Sequence, residues 1–146
     1  DRGAEAIAAV GLEGFEHLHP NHLSAGMKMR ASLARWLTID PSIFLFDEPF
    51  AALEEITREH LNEELLRLFG AKGFSGLFVT HSVFESVFLS QRVVVMTQRP
   101  GRIGADIRID VDEPRDKAFR TSVGYAEYCR RVSEALAPAY AGRSSL

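Results

Sequence analysis

The sequence predicts an α/β fold, a mostly parallel sheet flanked by helices, on three observations. Short apolar runs occur at Ile43 to Phe46, Gly76 to Thr80 and Arg92 to Thr97. The intervals between them have helical periodicity, and turn or cap residues stand at the junctions. An alternating order of helix and strand builds parallel pairs joined by crossover helices.

The chain has 146 residues and 46% hydrophobic content, an ordinary single-domain size able to bury a sizeable core. A formal net charge of -3 and a pI near 6.0 leave no global basic footprint, so no nucleic-acid partner is expected. Cys129 is the only cysteine, which excludes an internal disulfide and suits a small semi-buried core residue in a reducing compartment. No apolar run approaches the ~20 residues that cross a bilayer, and Asp1-Arg2-Gly3-Ala4-Glu5 does not resemble a signal peptide. A membrane role is therefore expected to come through a partner. The start at Asp1, directly before a helical pattern, carries the expectation of a piece of a longer protein.

In order, an opening helix over Ala4 to Val10 is expected to end at Gly11, and a loop from Glu13 to His22 leads to Ser24, a good helix cap. Met29, Leu33, Ala34 and Leu37 recur at helical spacing between Met27 and Thr38, and Asp40-Pro41 closes that segment. Ile43 to Phe46 is too short for a buried helix and is stopped by Pro49, so it reads as a strand buried on both faces. A helix from Glu54 to Phe69 should bury Ile56, Leu61, Leu65, Leu68 and Phe69 and end at Gly70. After the strand Gly76 to Thr80 comes His81, then a capping box of Ser82 and Glu85 opening a helix that buries Val83, Phe84, Val87 and Phe88. Arg92 to Thr97 reads as strand and Arg99-Pro100-Gly101-Arg102 as a turn. From Ile103 to Val111 strict alternation predicts a strand with one wet face. Beyond Pro114 the pattern is helical, with Ala118, Phe119, Val123, Tyr128, Val132 and Leu136 inward and a frayed tail from Gly142 to Leu146.

The chemistry concentrates at strand ends. Asp47 and Glu48 leave an apolar strand where, in open α/β sheets, ligands bind; the alternative is a core strand followed by an acidic turn. Asp47 suits Mg²⁺, a hard ion held by one or two carboxylates plus water and phosphate oxygens. Glu48 could orient or deprotonate an attacking water. His81, at the end of the next strand, could contact a terminal phosphate, although a histidine there is more often structural. Ser24-Ala25-Gly26 opens a helix whose free N–H groups attract anions. Lys28 and Arg30 in its first turns would favour a phosphate, or stand as solvated basic residues.

Together these elements resemble the ATPase subunit of ABC transporters. Leu23-Ser24-Ala25-Gly26-Met27 is similar to the signature motif, Ile43 to Glu48 to the Walker B strand with its catalytic glutamate, Ala51-Ala52-Leu53-Glu54 to the D-loop, and Thr80-His81 to the switch histidine. Phe88 to Met96 followed by Arg99 to Ile103 resembles the subgroup serving nitrate, taurine, aliphatic sulfonate and thiamine-precursor uptake in bacteria. The resemblance implies the carboxyl-terminal part of a P-loop NTPase: residues 1–26 as the remainder of a helical signature subdomain, 27–112 as part of the RecA-like catalytic core, and 113–146 as a helical extension. It further implies ATP and Mg²⁺ as ligands, a second ATPase subunit in a homodimer, a transmembrane permease and, indirectly, a periplasmic or extracellular solute-binding protein. The implied place is the cytoplasm, peripheral on the inner face of the membrane. Glu48 and His81 would be catalytic, Asp47 would hold Mg²⁺ through water, Ser24, Ala25 and Gly26 would touch nucleotide in trans, and Leu53 and Glu54 would form the D-loop. Three positions depart from the family pattern: Ala25 for a glycine, Glu54 for an aspartate, and Ser82 for an acid.

No Gly-x-x-x-x-Gly-Lys-Ser/Thr run occurs, and the glutamine loop is absent. Without the cradle strand, the apolar strands are expected to close on each other, swap, or stay bare as an aggregation hazard, and this chain alone is expected neither to bind ATP tightly nor to hydrolyse it. Two other readings stay open. One is a soluble ABC-type ATPase of translation or DNA repair, for which a basic surface, insertions or a tandem copy would speak. The other is a non-enzymatic dimerisation or regulatory half-domain.

Overall fold

The computed structural model describes residues 1–111 and 114–140, the last two of these by backbone alone. The predicted tail from Gly142 to Leu146 lies outside the described residues. The chain divides into two compact units, Asp1–Thr80 and His81–Leu146.

The first unit begins with α1 (Arg2–Ala9), capped by the Asp1 carboxylate, which accepts from the Gly3 N–H. Gly11, at φ +66°, follows the helix in the left-handed backbone that glycine tolerates. A 3-10 turn, Pro20–His22, leads to α2 (Ala25–Leu37), then β1 (Ile43–Asp47), α3 (Glu55–Lys72) and β2 (Ser75–Val79). The strands β1 and β2 pair in parallel, with Leu45 opposite Leu77 and Asp47 opposite Val79. One face of this pair is packed with aromatics: Phe44 lies 5.3 Å from Phe69 of α3 and 5.1 Å from Phe74, and Phe46 lies 5.5 Å from Phe78. Gly76 makes room for this packing, since a Cβ there would stand 3.0 Å from the Phe69 ring.

The opposite face corrects the expectation of a strand buried on both sides. Ile43 is 62% exposed, Leu45 76%, Leu77 64% and Val79 48%. The sheet has only two strands, and helix packing reaches just one of its faces. Ile56 is also exposed rather than inward, because it falls in the first turn of α3, ahead of the buried Leu61 and Leu65. That helix runs through Gly70 and stops at Gly73, whose φ of +69° makes the left-handed cap.

The second unit holds α4 (Val83–Leu89), β3 (Arg92–Met96), β4 (Ile103–Arg108), α5 (Lys117–Arg120) and α6 (Val123–Tyr140). The strands β3 and β4 pair antiparallel, with Val93 opposite Ile107, so the molecule carries one parallel and one antiparallel pair among its described residues. The core is Val87, Phe88, Val93, Val95, Ile107, Ile109, Phe119, Tyr125, Cys129 and Val132. Phe84, expected inside, is exposed, and Glu85 is buried in its place. On α6 the inward stripe is Tyr125, Cys129 and Val132, while Val123 at its start and Ala118 of α5, both expected inward, face solvent. Cys129 is the core residue its isolation suggested, and burial pushes its thiol above the ordinary pKa.

Candidate functional site

The pairing of β1 with β2 delivers Asp47 and Glu48 to the carboxyl end of the parallel strands. The ladder extends one residue beyond β1, where the Glu48 N–H donates to the Val79 carbonyl at 2.9 Å. Asp47 is exposed and Glu48 half-buried. Glu48 sits at φ +46°, in left-handed backbone that a glutamate rarely adopts. Such an outlier is held only where the surroundings over-determine it: here the ladder bond precedes it, and the Ala51 N–H donates to the Glu48 carbonyl at 3.2 Å. Nothing in the residue type announces this conformation. Pro49 and the fully buried Phe50, 5.7 Å from Phe78, then lock the turn that follows.

That turn contains Ala51 to Glu54, closed by the Leu53 N–H on the Phe50 carbonyl at 3.1 Å. Glu54 takes the N-cap position of α3 but makes no side-chain cap bond. Aspartate at such a place reaches the helix N–H groups, whereas glutamate is not among the strong caps. Glu54 therefore starts α3 without a side-chain tie. Leu53 is half-buried beside it.

Ser24 caps α2 as expected, its Oγ accepting from the Met27 N–H at 3.2 Å. Ser24 and Ala25 are exposed, leaving the helix start open. Gly26 has a packing reason of its own, since a Cβ there would approach Thr57 Cγ2 to 3.3 Å. Arg30 is neither phosphate-facing nor solvated: its Nε lies 3.0 Å from Glu64 of α3. Lys28 remains exposed.

His81 opens the second unit, exposed and immediately before Ser82, which caps α4 by accepting from the Glu85 N–H at 3.2 Å. Two residues missed by sequence reasoning tie down this helix: Arg115, whose guanidinium bonds carbonyls at its end, and Tyr125, whose hydroxyl donates to Phe84. Arg115 follows a proline and is easily read as a solvated loop residue. Tyr125 lies on the stripe that the helical register misplaced.

Two adjacent carboxylates form a donor set suited to Mg²⁺, which completes its shell with water and phosphate oxygens. Among the described residues no group of three or more His, Cys, Asp or Glu stands ready to cage a metal ion by protein ligands alone. Nor is any described helix long and apolar enough to cross a membrane.

Residues 1–51 match the family model described as ABC transporter. An uncharacterized ABC transporter ATP-binding protein of Methanocaldococcus jannaschii is 50% identical over 130 residues, which is 89% of this chain and 48% of that protein. An aliphatic sulfonates import ATP-binding protein of Bacillus cereus is 40% identical over 132 residues, 90% of this chain and 51% of that protein. A solved structure of a dimeric bacterial ABC transporter cassette aligns with a TM-score of 0.61 at 28% identity, covering 75% of this chain and 47% of that one. The chain spans about half the length of the curated relatives it matches.

Proposed function

We infer, for a chain similar in sequence and fold to part of an ABC transporter ATP-binding domain, a role in ATP hydrolysis that energises a bacterial importer. The observation that carries this reading is the carboxylate pair at the carboxyl end of the parallel strands, with Glu48 held in left-handed backbone. A carboxylate fixed at the carboxyl end of a strand is placed as a base that activates water beside a phosphate would be, and strained backbone of this kind clusters at functional sites.

In this reading Glu48 orients and polarises the attacking water, and Asp47 holds Mg²⁺ through its water shell. When bound, Mg²⁺ neutralises charge on the phosphate oxygens. His81 contacts the γ-phosphate. Ser24, Ala25 and Gly26 present an open helix start to nucleotide carried by a second ATPase subunit, and Leu53 and Glu54 lie in the D-loop. Residues 1–26 belong to the signature subdomain, 27–112 to the catalytic core and 113–146 to a carboxyl-terminal extension. The partners are the second subunit, a transmembrane permease and, through it, an external solute-binding protein, which puts the ATPase on the inner face of the membrane. The name of the Bacillus cereus relative favours an aliphatic sulfonate as solute, a class that includes the zwitterion taurine, with nitrate as another small solute bearing anionic oxygens.

Replacing Glu48 with Gln keeps shape and removes the base. In the complete ATPase, Glu48→Gln is expected to lower hydrolysis at least about 100-fold while leaving nucleotide binding intact. Turnover near the parental rate would remove Glu48 from this role.

A further inference from the structure

We propose that the segment from Arg115 to Tyr125 positions His81, by fixing both ends of the short helix that begins just after it. The assignment rests on the phosphate-contacting role inferred above for His81, but the geometry is independent of it.

The helix α4 spans only seven residues, Val83–Leu89. Helices this short are marginal on their own and take their place from tertiary ties. At its first turn, the Tyr125 hydroxyl donates to the Phe84 carbonyl at 2.9 Å. At and just past its last turn, one Arg115 nitrogen reaches the carbonyls of Phe88 at 3.3 Å and Ser90, and the other donates to the carbonyl of Ile109, just past β4, at 3.3 Å. Carbonyls at a helix end lack intrahelical donors, and a guanidinium fork meets several at once. Between these two ties Val87 and Phe88 are fully buried. Phe88 packs 6.3 Å from Phe119, and the Arg120 guanidinium lies 3.6 Å over its ring. These ties come from residues 115–125, which therefore take part in setting the line of α4.

His81 precedes the Ser82 cap by one residue, and Ser82 is itself bonded to the first turn through the Glu85 N–H, so a shift of that turn carries the His81 backbone with it. The Tyr125 bond is the closer control, three residues from His81. Desolvation raises the Tyr125 phenol above its ordinary pKa, so the hydroxyl stays a donor over the working range of pH. This gives the carboxyl-terminal segment a task beyond covering the sheet.

The test is the imidazole NMR spectrum of the full chain, in which His17, His19, His22 and His60 of the first unit serve as internal references for His81. Tyr125→Phe keeps the ring and removes one donor; it is expected to shift and broaden the His81 ring resonances, leaving the four references and the β3–β4 amides in place. Arg115→Lys keeps the charge but not the fork, and is expected to act in the same direction through the far end of α4. It decides the matter if the first variant does not fold. Unchanged His81 resonances in the folded variants, or shifts no larger than those across β3–β4, would overturn the proposal. Hydrolysis by a His81→Ala form of the complete ATPase tests the catalytic reading separately: a parental rate there removes the phosphate contact, while the resonances still report on positioning.

Discussion

The two units each pair two strands and each cover one face, yet they finish the other face differently. On β3–β4 the uncovered face mixes apolar and charged groups, with Arg92 bonded across the strands to Asp106 and Arg108 opposite Arg92, beside Val94, Met96 and Ile103. On β1–β2 it is Ile43, Leu45, Leu77 and Val79, relieved only by Ser75 and Asp47. A face of mixed character can stand in water. A face of four aliphatic side chains gives up about 1.5–3 kcal/mol for each one left uncovered, and is the kind of surface that marks contact with another element or another chain. The second unit is thus internally finished, while the first displays unfinished apolar surface.

The sharpest way to break this contrast is to open the finished core. Phe88 is fully buried, with Phe119 and Arg120 against its ring. Phe88→Ala is expected to cost about 3–5 kcal/mol, read as a loss of urea midpoint at unchanged slope. A cost below about 1 kcal/mol would mean the second unit is loosely packed and the comparison wrong.

On the bare face the expectation reverses. Leu45→Thr together with Leu77→Thr introduces β-branched side chains that suit a strand while removing apolar surface that is already 76% and 64% exposed. Stability should move by no more than about 0.5 kcal/mol per site, whereas self-association and binding of an apolar fluorescent dye should fall markedly. Sedimentation and dye titration measure both. Dye binding equal to that of the parent chain would show that β1–β2 is not the sticky surface.

How much of this was legible in the sequence follows from what each signal encodes. Ser24 and Ser82 were readable as caps because a short hydroxyl before an apolar-periodic run has one common use, and both side chains do accept from an N–H three residues on. The strands at Ile43, Gly76 and Arg92 were readable from apolar bulk alone. What bulk does not encode is which face finds a cover: Ile43 and Leu45 carry the same signal as Phe44 and Phe46, and only the aromatic packing of α3 separates them. In α6 the stripe was misplaced because Val123, at the helix start, counted as an anchor, although its position is exposed and Tyr125 and Cys129 carry the core. At the candidate site, the acid pair was legible from its order after a strand, but the left-handed backbone of Glu48 and the bonds of Arg115 depend on long-range pairing that no local pattern records.

The smallest effect expected tests the other half of the contrast, the wet face of β3–β4. Arg92 meets Asp106 with both ends of its fork, Nε at 2.8 Å and Nη2 at 2.5 Å. The hydrogen bond from Arg92 holds the Asp106 carboxyl below its ordinary pKa of 3.8. A carboxylate whose folded pKa is depressed contributes stability that is present above the unfolded pKa and disappears as pH falls through the folded one. The pair is largely exposed, so the contribution is small and screened by salt. Asp106→Asn should therefore lower the thermal midpoint slightly and by a constant amount above about pH 5. Below the ordinary carboxylate pKa the gap between the two proteins should narrow, and added salt should narrow it at neutral pH as well. A gap that stays the same into acid would mean the bond acts through shape rather than charge, and that the wet face owes its tolerance of water to something other than this ion pair.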